Sequence, residues 1–309
     1  MRERAAIAAS IVIPTRDRPD YLKSALASIA PQARAVGAET IVVDDGGPGG
    51  ETGALARRFG ARWEAHGEHR GLNVARNTGV EAAKGELVVF VDDDVRAAPG
   101  WLQALVRAAE EHPEVEVFAG RIRACLEGPA PRSCGRERPP ITTLELGEGD
   151  IETEYGWGAN MAIRREALAR VGPFDVSLVD GGDEQEWQER LRAGRPEAKV
   201  LYVGGAVVEH VRSGDDARLR ALARTAWLRG RAARRFDARR GEEPGLGREL
   251  ITLGGCVGHV VGYRCGAGLT MVAHSGGRLW EGLGEAMAGP GRAGEREGPA
   301  NGTGEDFLS

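Results

Sequence analysis

Three adjacent aspartates, Asp92, Asp93 and Asp94, directly follow the apolar run Leu87–Val91. The run predicts a buried β-strand, so the three carboxylates lie at a strand end rather than on a solvated helix. Adjacent carboxylates repel one another and require a compensating charge. Carboxylates that share the phosphates of a ligand with a cation are the usual way in which proteins hold Mg²⁺ or Mn²⁺. The residues alone leave open a metal site and a solvated loop whose acids precede a helix starting near Pro99.

A second acidic pair, Asp44 and Asp45, follows the apolar run Ile41–Val43. Both acidic groups therefore stand at strand ends, where ligands bind in parallel α/β sheets. A carboxylate of this pair could accept an N–H from a nucleobase or could pair with an arginine. The alternative is a turn-forming role ahead of Gly46 and Gly47.

A third pair, Asp183 and Glu184, starts a predicted helix over Asp183–Ala193. A carboxylate in this position could act as a general base. A helix N-terminus favours the charged form, so burial would be needed to make the group a better base. The alternative is a pair of acids that only cap the helix.

Arg76 and His210 are the other two candidates for chemistry. Arg76 shares one face of a predicted helix with Leu72, Val80 and Ala83, and a guanidinium on an apolar face needs an anion. That anion could be Asp45 or the phosphate of a ligand. His210 ends a β-type run, where a structural histidine and a metal ligand are both possible.

Strands and helices alternate along the first part of the chain, which predicts a doubly wound parallel sheet. The predicted strands lie near residues 10–13, 41–43, 61–65, 87–91, 115–122, 160–164, 199–203 and 206–211. The predicted helices start at Pro19 and cover residues 52–59, 72–83, 99–111 and 183–193. Residues 127–140 are rich in Pro, Gly and Arg and predict a loop.

Composition excludes several classes of protein. With 309 residues, 41% hydrophobic content and a net charge of −5, the chain is not globally disordered and has no charge excess suited to nucleic acid. The 38 arginines against three lysines are typical of a GC-rich bacterial genome. The first strand is followed by Pro14–Arg18 rather than by a Gly-x-Gly-x-x-Gly or Walker sequence, which argues against a dehydrogenase or a P-loop kinase.

The four cysteines are too few and too scattered for a disulfide scaffold. Cys125 and Cys134 are nine residues apart, as are Cys256 and Cys265, and neither spacing is typical of metal ligands. We therefore expect free thiols in a reducing cytoplasm. The first ten residues contain no apolar core of a signal peptide, and no run reaches the ~18 apolar residues of a membrane helix.

The C-terminal part differs in composition. Val211–Arg240 contains ten arginines and three aspartates, and Ser213 with Asp216 resembles a capping pair at a helix start. The basic charge predicts either a solvated face or contact with anionic lipid heads or an acidic carrier, through Arg218–Arg240. Residues 250–283 are Gly-rich and apolar, and the tail, residues 289–309, is predicted to be disordered.

Six motifs occur in an order and spacing that resemble the inverting family 2 glycosyltransferases of the GT-A fold. They are Ile11–Arg16, Ile41–Gly46, Gly71–Gly79, Gly85–Asp94, Gly158–Arg165 and Gly181–Glu184. The resemblance covers roughly residues 8–212. It implies a GT-A domain over residues 1–212, built on a doubly wound mixed sheet, with a nucleotide-sugar half (1–120) and an acceptor half (121–212). Beyond the resemblance we predict a C-terminal helical extension over residues 213–288.

The resemblance also implies roles for individual residues. The nucleotide-sugar donor, with UDP favoured, would contact Pro14, Thr15, Arg16, Asp45, Arg76, Asp92 and Asp93. Mn²⁺ or Mg²⁺ would be held by Asp92, Asp94 and His210, and the acceptor would face Trp157 and Asn160. The family usually has Glu-Asp where this chain has Asp183-Glu184, so register indicates Glu184 as the base and residue type indicates Asp183.

The function expected from this resemblance is metal-dependent transfer of a sugar, with inversion, to a hydroxyl or amine of an unidentified acceptor. Two alternatives remain at this point. One is a non-catalytic nucleotide-sugar-binding or scaffold subunit, which the reversed Asp183-Glu184 order favours. The other is a sugar-phosphate nucleotidyltransferase, although Pro14–Arg18 lacks the Gly-rich loop of that class. The expected location is the cytoplasm, with possible attachment to the inner face of the membrane.

Overall fold

The computed structural model describes residues 8–47, 50–129, 131–179 and 181–288. The C-terminal tail predicted to be disordered lies outside the described residues. Within the described chain, nine strands form one mixed sheet in the order β3-β2-β1-β4-β8-β6-β9-β5, and β7 pairs with β9. The strands are β1 (Ala9–Thr15), β2 (Glu39–Asp44), β3 (Arg62–Ala65), β4 (Leu87–Val91), β5 (Val95–Ala97), β6 (Val117–Glu127), β7 (Ile151–Thr153), β8 (Asn160–Arg164) and β9 (Val200–Ser213).

The sheet is parallel in its N-terminal half and mixed beyond β4. Strand β1 pairs in parallel with β2 and β4, while β8 runs antiparallel between β4 and β6. The helices are α1 (Pro19–Val36), α2 (Gly50–Phe59), α3 (Leu72–Ala82), α4 (Trp101–Glu111), α5 (Arg165–Val171), α6 (Asp183–Gly194), α7 (Leu219–Arg240), α8 (Leu246–Tyr263) and α9 (Leu269–Ala288).

Two hydrophobic cores lie on opposite faces of the sheet. Residues of α1, α2 and α4 pack on one face, and residues of α3, α5 and α6 pack on the other. The central strands read as continuous apolar runs because they are covered on both faces. The predicted doubly wound mixed sheet with a C-terminal helical extension is therefore confirmed, and so are the bounds of β4 and β8.

The C-terminal half departs from the sequence prediction in several places. The two strands predicted over residues 199–203 and 206–211 form one strand, β9, which begins at Val200. The pairing is continuous because the register against β6 shifts between Gly120 and Arg121 without ending it. Strand β6 extends to Glu127, beyond the predicted end at residue 122. The short elements β5, β7 and α5 have no strong periodicity and were not predicted.

The predicted capping pair of Ser213 and Asp216 is wrong. A 3₁₀ turn over Gly214–Ala217 precedes α7, which begins at Leu219, and no side chain caps either element. The Tyr21 hydroxyl accepts from the Ser213 N–H at 2.9 Å and donates to Asp216 at 3.1 Å. These bonds tie the start of the extension to α1.

Helix α7 packs mainly on α9, and much of its basic charge is neutralised within the chain. Five arginines of α7 have acidic partners outside this helix. Arg231 and Arg235 pair with Glu281, Arg234 pairs with Glu285 and Glu249, Arg239 pairs with Asp175, and Arg240 pairs with Glu189. These pairs support a structural interpretation of the basic helix. None of the helices in the described part of the chain combines the length and the apolar character that crossing a membrane requires.

Candidate active site

The acidic side chains gather where β1 and β4 end, as the sequence predicts. The Thr15 hydroxyl at the end of β1 donates to Asp93 at 2.7 Å. Asp93 and Asp94 are buried, although three carboxylates follow one another on a single short turn. The next strand, β5, pairs antiparallel with β9 and sets Val95 opposite His210. This pairing brings His210 to Asp94 from a distant part of the chain.

The contacts of His210 and Asp94 fit a cation. The Nδ1 atom of His210 lies 3.0 Å from the carbonyl oxygen of Thr142, which can only accept, so Nδ1 carries a proton. In the neutral ring Nε2 then bears a lone pair, and it lies 3.1 Å from Oδ1 of Asp94. That buried oxygen has no hydrogen-bond partner in the described part of the chain. At this distance either a proton on Nε2 or a metal ion in its place can bridge the two atoms.

Asp92 completes the candidate metal group. One ligand atom from each of Asp92, Asp94 and His210 lies within 4.8 Å of the others. Oxygen and imidazole ligands of this kind suit Mn²⁺ or Mg²⁺. Burial, and then the charge of Asp94, raise the pKa of Asp92. The predicted ligands are therefore brought together, and their donor set fits a hard divalent cation.

Two arginines that the sequence analysis missed compensate the acidic turn. Arg18, just before α1, binds Asp93 and lies 3.0 Å from Asp94, while Arg212 binds Asp94 from β9. Burial alone would raise the pKa of Asp94, but His210, Arg212 and Arg18 outweigh it and hold that pKa well below its usual range. Burial raises the pKa of Asp93 to about 6, although Arg18 opposes the shift. Asp94 is thus the carboxylate kept most firmly charged.

Within the protein, the anions that Arg76 binds are the two acids at the start of α6, and not Asp45. The Arg76 guanidinium is buried and binds Asp183 through Nη1 and Glu184, at 2.9 Å, through Nη2. Helix α3 thereby holds the two acids at the start of α6. The backbone N–H of Gly158 also donates to Glu184, at 3.1 Å. Only the packing of α6 beside α3 creates this arrangement.

The two acids on Arg76 differ in proton affinity. Burial, and then repulsion by Glu184, raise the pKa of Asp183 to about 7 although Arg76 opposes the shift. Burial also penalises the charge of Glu184, but Arg76 and backbone N–H donors outweigh it and lower its pKa. The Glu184 side chain is 14% exposed against 4% for Asp183. Of the two, Asp183 has the proton affinity that suits a base near neutral pH.

Asp44 and Asp45 form different hydrogen bonds and have different structural roles. Asp44 accepts from the N–H of Gly46 at 3.1 Å, which is the predicted turn-forming role. The Asp45 carboxylate accepts from Nδ1 of His66 and of His69, each at 2.8 Å. It also accepts from two backbone N–H groups, those of Arg70 and Gly71, each at 2.9 Å. Burial disfavours its charge, but these donors lower the pKa of Asp45 below its usual value.

A cleft of about 1070 Å³ joins Asp92 of the acidic turn to the acids held by Arg76. Its walls carry several predicted donor contacts, Arg16, Arg76 and Asp92, and also Asp183, Glu184 and the half-buried Trp157. Pro14 and Thr15 are buried in β1 and are not among the residues that line the cleft. Helix α7 forms another wall through Leu228, Arg229 and Phe236. The cleft therefore extends from the acidic turn to the C-terminal helices.

Arg229 is a further cation that the sequence analysis did not single out. Its pKa is lowered by burial and then by Arg212, while Asp92, Asp94 and Glu184 act in the opposite direction. No ion pair of Arg229 occurs among the described residues. The sequence does not single out Arg229, because no local feature distinguishes it from the other nine arginines of Val211–Arg240.

Asn160 does not fit the predicted acceptor contact. Its side chain is fully buried, and its amide donates to the carbonyls of Arg121 at 3.0 Å and Ala206 at 2.8 Å. Its carbonyl oxygen accepts from the indole of Trp101 at 2.8 Å. The amide thus bridges β6 and β9 at the register shift and has a structural role, while Trp157 remains the predicted acceptor contact in the cleft.

The fold and the cleft define an α/β protein with a ligand site at the carboxyl edge of its sheet. The chain belongs to the family described as glycosyl transferase family 2, whose sequence model matches residues 10–172. The candidate base and His210 lie beyond the matched segment.

Curated relatives agree with this membership. The chain is 29% identical over 209 residues to the pre-mycofactocin glycosyltransferase of Mycobacterium tuberculosis strain H37Rv, with 65% of this chain and 42% of that protein covered. It is 25% identical over 187 residues to the glycosyltransferase AglE of Haloferax volcanii, covering 59% and 60% of the two chains. The chain thus spans less than two thirds of the length of either relative.

Solved structures show the same fold. GalNAc-T7, in a crystal structure with UDP, GalNAc and Mn²⁺, superimposes with a TM-score of 0.56 and 18% identity over 77% of this chain and 51% of its own. The mannosyltransferase PcManGT from Pyrobaculum calidifontis, in complex with GDP-Man and Mn²⁺, gives a TM-score of 0.53 and 18% identity over 90% and 88% of the two chains.

Proposed function

We propose that this chain is a metal-dependent inverting glycosyltransferase that moves a sugar from a nucleoside diphosphate sugar to an acceptor hydroxyl or amine. The observation that carries the proposal is the buried Asp94–His210 contact at the edge of the sheet that the cleft borders, where Nε2 and the unpartnered Oδ1 lie 3.1 Å apart. Membership of glycosyl transferase family 2 and neighbours solved with Mn²⁺ and a nucleotide or nucleotide sugar support it.

Asp92, Asp94 and His210 are the proposed holders of Mn²⁺ or Mg²⁺. When bound, a divalent ion there neutralises charge on the leaving diphosphate. Arg229 faces the same region with no ion-pair partner among the described residues, and we assign it to the diphosphate as well. A guanidinium is well suited to this task because it presents several donors to phosphate oxygens.

The nucleoside part of the donor, with UDP favoured, belongs at the other end of this edge. Arg16 lies on the cleft wall, and Asp45 fixes the loop of His66–Gly71 through four hydrogen bonds. Thr15 and Asp93, which are hydrogen-bonded to each other and buried, would act on the donor only through the residues that line the cleft. In this proposal Asp45 acts on the nucleoside mainly by holding His69 and Arg70 at the cleft.

Asp183 is the proposed base. It takes a proton from the acceptor hydroxyl or amine, whose oxygen or nitrogen attacks the anomeric carbon in line with the departing diphosphate, so the configuration inverts. Its pKa of about 7 favours this role. Glu184 and Arg76 position it, and the Trp157 indole offers an apolar surface for the acceptor.

The proposed function does not include binding of α7 to a membrane surface. Such binding would rely on the arginines of this helix, and several of them already pair with acidic residues of the chain. The reversed Asp183-Glu184 order and the tight hold of Arg76 on both acids keep a non-catalytic nucleotide-sugar-binding subunit as the second candidate.

The deciding experiment measures hydrolysis and transfer from a panel of UDP-, GDP- and dTDP-sugars with Mn²⁺, with Mg²⁺ and with a chelator. Metal-dependent turnover that Asp94→Ala abolishes and the exposed control Asp215→Ala retains supports the proposal. The anomeric configuration of the product, read by NMR, tests inversion. Calorimetry that detects no nucleotide binding with or without Mn²⁺ contradicts it, and metal-dependent binding without turnover across the panel favours the non-catalytic candidate.

A further inference from the structure

Four potential metal ligands meet at a second place, where the loop before Thr142 contacts the C-terminal helices. Cys134 and Glu137 come from the loop, His259 from α8, and Cys265 from the turn between α8 and α9. One ligand atom of each lies within 4.8 Å of all the others. The sequence analysis expected scattered thiols, because it compared Cys134 with Cys125 rather than with a residue more than a hundred positions away.

Local backbone geometry brings the two C-terminal ligands together. Helix α8 ends at Tyr263, and Arg264 adopts the left-handed conformation with φ of 48°. The N–H of Cys265 then donates back to the carbonyl of Val260 at 3.1 Å. This reversal directs Cys265 toward the last turn of the helix, where His259 lies.

The loop is held against this turn by contacts of its own. The N–H of Ala267 donates to the carbonyl of Arg132 at 3.0 Å, and the Arg136 guanidinium lies 4.7 Å from the centre of the Tyr263 ring. Within the cluster, Sγ of Cys134 lies 3.4 Å from Nε2 of His259 and 3.2 Å from Oε2 of Glu137. Sγ of Cys265 lies 3.5 Å from the same carboxylate oxygen.

We propose that Cys134, Glu137, His259 and Cys265 bind one zinc ion that fastens this loop to the C-terminal helices. Two sulfurs, one imidazole and one carboxylate form a four-ligand set of the type that zinc takes, and thiolates select against Mg²⁺ and Mn²⁺. Ligand atoms around a tetrahedral zinc with bonds of about 2.0–2.3 Å stand roughly 3.3–3.8 Å apart. Three of the six ligand–ligand distances in the cluster are 3.2–3.5 Å and the others are within 4.8 Å, so side-chain shifts of about 1 Å or less bring the four atoms to this geometry.

The partial burial of the cluster fits a structural rather than a catalytic ion. Cys265 has no exposed surface, and the other three ligands are half-buried. Loading is balanced by the release of two thiol protons, one from each cysteine, while the carboxylate and the neutral imidazole bind without a proton change. Four protein ligands leave no open coordination position for substrate.

The proposed zinc site also connects to the candidate active site. The loop that carries Cys134 and Glu137 continues directly to Thr142, whose carbonyl accepts from His210. Zinc would therefore link α8 and α9 to the segment that orients the proposed ligand of the catalytic metal. The zinc proposal stands independently of the reaction, because it depends only on this cluster.

The test measures metal content in full-length, tag-free protein purified under reducing conditions. We expect about one equivalent of zinc by elemental analysis, retained in Asp94→Ala, in which the proposed catalytic metal site is removed. Cys134→Ser and Cys265→Ser should each lose it, while the matched controls Cys125→Ser and Cys256→Ser, which alter the two cysteines outside the cluster, should retain it. Strong chelators should lower the Tm of the wild-type protein and not that of the zinc-free variants.

Cobalt substitution tests the ligands in the wild-type chain, so the proposal stays testable if the serine variants fail to fold. Co²⁺ in this site should show the intense visible bands of tetrahedral coordination and thiolate-to-cobalt charge transfer. A reduced wild-type protein that contains no zinc and takes up neither stoichiometric zinc nor cobalt overturns the proposal. So does an intact mass two hydrogens lower with Cys134 and Cys265 joined in a disulfide.

Discussion

The Nε2 atom of His210 lies 3.1 Å from Oδ1 of Asp94, although the two residues are 116 positions apart in the sequence, because β5 and β9 pair antiparallel beside the acidic turn. The Thr142 carbonyl fixes the ring tautomer. In its neutral form the ring therefore directs Nε2, and not Nδ1, at the charged carboxylate of Asp94. The proposed binding of a divalent cation rests on this relationship.

Replacing His210 with Gln should therefore weaken metal binding. We expect the Kd for Mn²⁺ in the presence of nucleotide to rise about tenfold or more, because one ligand and its orientation are lost. Titration calorimetry or the signal of free Mn²⁺ in electron paramagnetic resonance measures this change. His112→Gln, on a half-exposed histidine beside Glu114, is the control and should bind as the wild type does. Equal affinity in both variants would remove His210 from the ligand set.

Asp183→Asn should reduce kcat by about 10²–10⁴-fold, because the proposed base can no longer accept a proton. Glu184→Gln should have the smaller effect, since Glu184 is assigned to positioning. Glu186→Gln, in the same first turn of α6 but paired with Arg190, is the matched control. A larger loss in Glu184→Gln than in Asp183→Asn would identify Glu184 as the base. Full turnover in both variants would show that neither acid is the base.

The rate should depend on pH with a defined sign. Because the raised pKa of Asp183 is about 7, its carboxyl group is protonated and inactive below that value. We therefore expect kcat to rise with pH through about 7 and then to level off. Initial rates at saturating donor, acceptor and metal give this profile. A rate that stays constant between about pH 5 and pH 8 would contradict the assignment.

Arg76→Met should destabilise the fold strongly. The substitution leaves Asp183 and Glu184 buried without their cation, and breaking a buried pair in this way costs about 3–5 kcal/mol. Denaturant unfolding measures the loss, and Arg107→Met is the control, since that arginine forms an exposed pair with Glu111 worth less than about 1 kcal/mol.

A triple variant separates charge from packing at this position. Adding Asp183→Asn and Glu184→Gln to Arg76→Met removes the uncompensated charges and should recover part of the lost free energy of unfolding. An Arg76→Met protein as stable as the wild type would mean that the ion pairs do not contribute to the fold.

Much of the framework follows from local sequence. Leu87–Val91 and Asn160–Arg164 have the predicted bounds because an apolar run covered on both faces is a strand with few alternatives. The acidic turn at Asp92–Asp94 and the pair at Asp183 and Glu184 could be found by the same reasoning, since each directly adjoins a recognisable element. Their order along the chain indicated the family.

The tertiary structure decided which distant residues these groups contact. Arg76 binds two acids more than a hundred positions away, Asn160 lies in the core rather than at the cleft, and Cys134 meets Cys265 across 131 residues. Local periodicity reports which side of an element is buried, but it contains no information about which distant element covers that side. The strand order of the sheet and the packing of the C-terminal helices determine those contacts, and through them the chemistry of the cleft.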